Sequence, residues 1–385
     1  MMIDKDGLVA FTQRLIRTAS PSRQEAEVSA IYAEGLESLG FDEVSVDSMD
    51  NVTGTLKGDS PDIRVLFNGH LDHAEPGGME SPYSGEIIDG RPFGSNGPAI
   101  WGRGAVDMKG AIAAMAYAGK TIKDAGIRLE KSIAVTAVVR EEEARGEGIR
   151  FLLEDSGIRA DMSVSGEATG LDVCLGHRGK LEYTITTYGK TAHGAMPELG
   201  INAIYKMNDF ISELRRSYRP PTHPVLGDCT YTVLECGAEP GRLTPITPDK
   251  CWIAFDRRYL PSESTDSVQE EIEAIFRTLQ QHDPEFKATI VNDKDFPPFY
   301  CDEREEVVSL MRSARGTVLG KDKMPRSWRF GVDGTFIHAA GMPCVGLGPG
   351  IETFAHTPQD HVPIDQLAAA CEIYAEFIKL AAGRE

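Results

Sequence analysis

The pattern of apolar and polar positions in the first half of the chain switches repeatedly between helix-like and strand-like runs. Residues 4–18 read as a helix, and residues 24–39 as a second, with Ser22 as its candidate N-cap. Ile63-Arg64-Val65-Leu66-Phe67-Asn68 is a buried-strand signal that stops at Gly69. Residues 110–123 are alanine-rich and helical, residues 132–139 are β-branched and strand-like, and residues 148–155 return to a helix. Such alternation predicts an α/β layer with a mixed, largely parallel sheet flanked by helices. In sheets of this kind the chemistry sits in loops at the carboxyl ends of the strands.

The middle of the chain has a different rhythm. Residues 181–188, 230–236, 250–259 and 288–292 read as strands, and residues 202–217 and 265–281 as helices. This is a compact α+β unit of about one hundred residues, an ordinary domain size. After Phe296-Pro297-Pro298 the earlier character resumes. The expectation is an insertion: residues 1–179 and 294–385 form one domain, and residues 180–293 a second one inside it.

Composition narrows the function. A chain of 385 residues with 41% hydrophobic content is long enough for two cores. Its formal charge of -19 argues against nucleic acid or an anionic membrane as partner, because both need basic surfaces. Seven scattered cysteines, an odd number with no C-x-x-C pair, read as reduced thiols in the cytoplasm rather than a disulfide scaffold. The first residues show no basic-then-apolar leader, and no apolar run approaches the roughly 18 residues of a membrane span.

Five short motifs carry candidate chemistry. Gly69-His70-Leu71-Asp72-His73 follows the Ile63 strand, placing His70 like a metal ligand with Asp72 able to hold its second nitrogen. Gly102-Arg103-Gly104-Ala105-Val106-Asp107-Met108-Lys109-Gly110 delivers Asp107 to the alanine-rich helix, as a ligand or as a plain N-cap. Arg140-Glu141-Glu142-Glu143 ends the Ser132 strand, where successive acids suit a ligand beside a general base, or a solvated helix start. Ser165-Gly166-Glu167-Ala168-Thr169 and Phe354-Ala355-His356-Thr357-Pro358 add one acid and one histidine. Each alone is an ordinary loop. Together His70, Asp107, Glu142, Glu167 and His356 are the donors that a zinc pair requires if one carboxylate bridges, with Glu141 as the base.

These motifs, in this order, resemble the zinc exopeptidases and deacylases that include aminoacylase, acetylornithine deacetylase, succinyl-diaminopimelate desuccinylase and glutamate carboxypeptidase. The resemblance runs from about residue 60 to 365. It implies one zinc on His70, Asp107 and Glu167 and a second on Asp107, Glu142 and His356, with Asp107 bridging and its bond to Met108 cis. It implies an orienting role for Asp72 and a homodimer formed through the inserted domain, which acts as a lid. Within Gly189-Lys190-Thr191-Ala192-His193-Gly194, His193 matches a histidine that helps to stabilise the oxyanion from the partner subunit. Asp256-Arg257-Arg258 matches a lid motif in which Arg258 grips a substrate carboxylate, or else pairs with Asp256. Gly331-Val332-Asp333-Gly334 and Gly346-Leu347-Gly348-Pro349-Gly350 resemble late glycine loops that line the cleft.

The sequence also departs from that family. Arg140 stands where an Asp is usual, and the acidic run permits a shifted register with Glu142 as base and Glu143 as ligand. Thr244-Pro245-Ile246-Thr247-Pro248 lacks the asparagine that supplies an amide donor. His73 is an extra histidine beside His70, expected in an outer or surface role. The activity implied is hydrolysis of an amide bond in a small, carboxylate-bearing substrate such as a dipeptide or N-acyl amino acid. A carbamoyl or ureido amidohydrolase would use the same site, and manganese or cobalt fit the donors as zinc does. A non-catalytic binding protein on the same fold is the contrasting class, although no ligand or base is missing.

Overall fold

Parallel β-branched runs from both ends of the chain assemble into one sheet in the computed structural model, which describes residues 1–241 and 245–384. Its six strands lie in the order Glu43–Val46, Val52–Leu56, Lys131–Val138, Ser60–His70, Ala160–Ser165 and Cys344–Gly346. The last four are mutually parallel and the first two antiparallel. The central strands are buried along most of their length, so they read as apolar runs rather than alternating ones. The helices Gly110–Asp124 and Ile364–Ala382 pack on these strands and on each other. Small side chains on the first helix, such as Ala111, Ala114 and Ala118, are fully buried and permit that close approach.

The Ser60–His70 strand runs through Gly69 rather than ending before it. A Cβ at Gly69 would lie 2.5 Å from Ile112 and 2.6 Å from Met108, so a glycine is needed for the strand to pass the helix start. The second helix spans Ala26–Ser38 without a side-chain cap. Ser22 does not cap it; its hydroxyl donates to Asp72 at 2.7 Å. Three helices, Glu306–Leu319, the short Gly334–Ala339 and Ile364–Ala382, were not anticipated from the pattern. The last is buried over so much of its surface that its amphipathic stripe is blurred.

The inserted unit runs from His177 to Phe299. It starts three residues earlier (177 against 180) and ends six later (299 against 293) than the span expected from the sequence. Four antiparallel strands lie in the order Tyr231–Glu239, Lys250–Tyr259, Gly179–Tyr188 and Lys287–Phe296. Leu181, Tyr183 and Ile185 alternate inward on one central strand, and Ile253 and Phe255 on the other. Met207, Phe210 and Leu214 of the Ala203–Ser217 helix and Val268, Ile272 and Phe276 of the Thr265–His282 helix close this core. Asn202 caps the first helix, and Ser264 and Ser267 form a reciprocal capping box on the second.

Phe255→Ala removes a buried ring from the middle of this core and is expected to cost the inserted unit about 3–5 kcal/mol. Guanidinium unfolding followed by circular dichroism measures it. A loss under roughly 1 kcal/mol would show that the core closes over the gap.

Candidate metal centre

Four parallel strands end on the same edge of the sheet, and each feeds a loop that carries a candidate ligand or base. His70 is the last residue of its strand; Glu141 and Glu142 follow Val138; Glu167 follows Ser165; His356 lies beyond the Cys344–Gly346 strand. Asp107 enters from a fifth direction, just before the Gly110–Asp124 helix, and its peptide bond to the following Met108 is cis.

The Asp107 carboxylate lies between the two histidines. His70 Nε2 is 2.9 Å from Asp107 Oδ1 and 3.4 Å from Glu167 Oε1. On the other side, His356 Nε2 is 3.2 Å from Asp107 Oδ2 and 2.8 Å from Glu142 Oε2. Donor atoms of His70, Glu141 and Glu167 lie within 4.8 Å of one another, as do those of His70, Asp107 and Glu142. All five residues named as candidate ligands are therefore brought together.

The supporting contacts fix the rings and the acids. His70 Nδ1 donates to the Asp72 main-chain oxygen at 2.9 Å, which turns Nε2 toward the carboxylates. The Asp72 side chain, fully buried, accepts from the amides of Glu141 at 3.1 Å and Glu142 at 3.2 Å. Glu142 Oε1 accepts from the amide of Ala74 at 3.0 Å. Glu143 is held elsewhere, by a two-pronged pair with Arg23 at 2.7 Å. Arg140, in its left-handed conformation, ion-pairs with Glu147. His73 is a buried neutral imidazole: Nε2 accepts from Ser20, Nδ1 donates to Ala74, and burial pulls its pKa down to about 4. Both of its nitrogens are used, so it is neither a ligand nor a surface group.

Charge balance tells what the cluster lacks. Asp107, Glu141, Glu142 and Glu167 face two imidazoles, and among the described residues no lysine or arginine forms an ion pair with any of the four. Burial and the Asp107 charge raise Glu142 and lift Glu167 to about 7. Burial raises Glu141 well above the usual carboxylate range. Hydrogen bonds donated to the carboxylates of Asp107 and Glu142 raise His356 to about 10. Burial opposes a charge on His70, yet its contacts with Asp107 and Glu167 raise it too. The protons thus stand in for missing positive charge, and divalent cations would supply it. The donor set, two imidazoles and carboxylates with one shared, fits a metal pair.

Three participants escaped the sequence reading. Asp333, seen only as part of a glycine loop, is buried with neither carboxylate oxygen hydrogen-bonded among the described residues, and burial raises its pKa to about 8. Asp360 receives the amides of Gly104 and Val106 and the guanidinium of Arg103. Arg326 joins Asp172, in the loop after Glu167, to Glu352, ahead of His356. Nothing in local sequence marks these long-range contacts. His193 and Arg258 belong to the inserted unit. The His193 ring accepts from the Ala195 amide at Nδ1, which leaves the ring proton on Nε2. Arg258 pairs with Asp256 through Nε at 3.0 Å and Nη2 at 3.3 Å, while its neighbour Arg257 is buried against Tyr218 and Glu263. Thr244 lies outside the described residues.

A shared carboxylate between two histidines, offered from the carboxyl edge of a largely parallel sheet, is the site of a metal-dependent hydrolase. The chain belongs to peptidase family M20/M25/M40, whose model matches residues 66–380. It is 32% identical to the protein YgeY of Escherichia coli, over 96% of this chain and 93% of that one. It is 28% identical to the N-formyl-4-amino-5-aminomethyl-2-methylpyrimidine deformylase of Bacillus subtilis, over 97% of this chain and 94% of the relative. A tripeptidase of Staphylococcus aureus shares the fold, with a TM-score of 0.79, 20% identity and 99% of both chains covered. No described helix is long and apolar enough to cross a membrane.

Asp333 also sets a pH dependence. In the metal-free fold it keeps its proton to about pH 8, whereas the unfolded chain releases it near its ordinary value of 3.8. The native state then binds more protons, so this residue lowers stability progressively as pH rises between those values. Relative to wild type, Asp333→Asn is expected to gain thermal midpoint from pH 4 to pH 8 in the presence of chelator. A pH-independent difference would refute the buried, protonated carboxyl.

Proposed function

We propose that the protein is a dinuclear zinc amidohydrolase that cleaves an amide bond in a small, carboxylate-bearing substrate, a dipeptide or an N-acyl amino acid. The observation that carries this reading is the division of Asp107 between His70 and His356, each with a further glutamate beside it. One ion would be held by His70, Asp107 and Glu167, the other by Asp107, Glu142 and His356. When bound, such a pair supplies Lewis-acid polarisation of the carbonyl and makes water acidic enough to attack.

Glu141 is the general base. Its amide is fixed by Asp72, its carboxylate has no hydrogen bond or ion pair among the described residues, and burial raises its proton affinity. A carboxylate so tuned takes the proton from the attacking water and delivers it to the leaving nitrogen. The Arg23 pair, which engages Glu143, supports this register over the one shifted by a residue. Asp72 holds the His70 ring through its main-chain oxygen and the Glu141–Glu142 turn through its carboxylate.

The inserted unit contributes substrate contacts in this reading. His193, with its proton on Nε2, donates to the developing oxyanion from the partner subunit of a homodimer. Arg258 keeps Nη1 outside its pair with Asp256 and offers it to the substrate carboxylate. The edge strand Tyr231–Glu239, with Val233 and Leu234 exposed, supports a dimer through this unit. Seven free cysteines support a cytoplasmic setting.

The test is a hydrolysis panel of dipeptides, N-formyl, N-acetyl and N-succinyl amino acids and ureido acids, with zinc, manganese or cobalt added. Turnover that requires metal and falls about 10²–10⁴-fold in Glu141→Gln supports the mechanism. Unchanged turnover in that variant would move the base, and preference for ureido acids would move the substrate class. His193→Ala is expected to lower kcat by about 10²-fold with little change in KM; equal kcat in variant and wild type would remove the histidine from the oxyanion site.

A further inference from the structure

The Asp360 carboxylate is fully buried and spends its oxygens on one short segment. Oδ2 accepts from the amide of Gly104 at 2.7 Å and from Arg103 Nη1 at 3.1 Å, and Oδ1 accepts from the amide of Val106 at 2.9 Å. Its main-chain oxygen accepts from Gly102 at 3.2 Å. These donors span the turn that ends one residue before Asp107. Directly after Asp360, His361, Val362 and Pro363 pair antiparallel with Trp101, Ile100 and Ala99, which lead into the same turn.

On its other side, Asp360 ends the loop that presents His356, four residues earlier. His356 has φ of +60°, a left-handed conformation that a non-glycine residue holds only when its surroundings impose it. The other end of this loop is fixed by Glu352, paired to Arg326 at 3.0 Å. Asp360 is thus the joint at which the loop of the shared carboxylate meets the loop of the exposed histidine. Arg103 has a fixed place of its own, with its amide donating to Pro82 and Nη2 to Pro76.

We propose that Asp360 is a positioning residue that sets the separation of Asp107 from His356 and thereby governs occupancy of one metal position, the one held by Asp107, Glu142 and His356. This rests on the dinuclear reading above. Asp360 also joins two loops of the fold. The contacts of Asp360 point one way. All four engage the Asp107 turn and, among the described residues, none engages the loops of His70 or Glu167; the chain runs back from Asp360 to His356 and onward into the strand paired with Ala99–Trp101. An asparagine in its place keeps the shape but replaces one acceptor oxygen with an NH2 group that faces an amide or guanidinium donor.

The experiment is calorimetric titration of chelator-stripped protein with Zn2+, comparing wild type, Asp360→Asn and His356→Ala, with thermal midpoints of the stripped proteins as the measure of folding. Wild type is expected to bind two ions per chain. Asp360→Asn should retain one ion near wild-type affinity and bind the other about 10–100-fold more weakly, in the pattern of His356→Ala. Arg103→Gln, which removes one donor and leaves both amide contacts, should show a smaller loss of the same ion. Two ions bound by Asp360→Asn as tightly as by wild type would overturn the proposal. So would equal weakening of both ions with a lowered midpoint of the stripped protein, which marks a role in the fold alone; Arg103→Gln with both ions unchanged would count the same way. Wild type binding fewer than two ions would overturn the dinuclear reading itself, and this inference with it.

Discussion

Like charges brought into a buried site govern this protein. Four carboxylates converge where four parallel strands end, and two imidazoles are the basic groups that pair with them. Carboxylates at such separations cannot all stay ionised out of water without a countercharge. The arrangement is therefore poised for cations, and the raised proton affinities of Glu141, Glu142 and Glu167 express the same demand. Everything else in the unit serves to hold these groups against their repulsion. The sheet aligns the loops, Asp72 ties His70 to the Glu141–Glu142 turn, and Asp360 ties the Asp107 turn to the His356 loop.

Those ties share a logic. Each uses a buried carboxylate as acceptor for backbone amides, which fixes the main chain and leaves the functional side chain free to face the centre. Asp72 does so for residues 141 and 142, and Glu25 for residue 140. A glycine completes the arrangement on the far side. A Cβ at Gly348 would lie 2.0 Å from the Gly166 oxygen and 2.4 Å from the Glu167 oxygen, so the two loops touch backbone to backbone. Precision in the site therefore comes from main-chain contacts more than from side-chain packing.

The inserted unit is built by different rules. Its sheet is antiparallel, with one face buried against two amphipathic helices, and its strands alternate in the ordinary two-residue rhythm. That rhythm made its strands and helices easy to read. Its ends were harder, because ladders continue past the last well-patterned residue: the Lys287–Phe296 strand extends four residues beyond Asn292.

The sequence by itself determined the class of layer, the insertion, and the identity of the acids and histidines that meet. Periodicity reports burial, and His70, Asp107, Glu142 and Glu167 lie close to the ends or starts of elements that local pattern can locate, whereas His356 sits in a loop marked only by its short motif. Sequence left open which glutamate of the Glu141–Glu143 run faces inward, what His73 does, and whether Ser22 caps a helix. The tertiary structure decided these through partners distant along the chain: Arg23 on Glu143, Ser20 on His73, Asp72 on Ser22. The same holds for Asp333 and Asp360, whose neighbours are brought to them by the fold. A residue's type and spacing encode what it is able to do, whereas its charge state and orientation depend on contacts that only the folded chain creates.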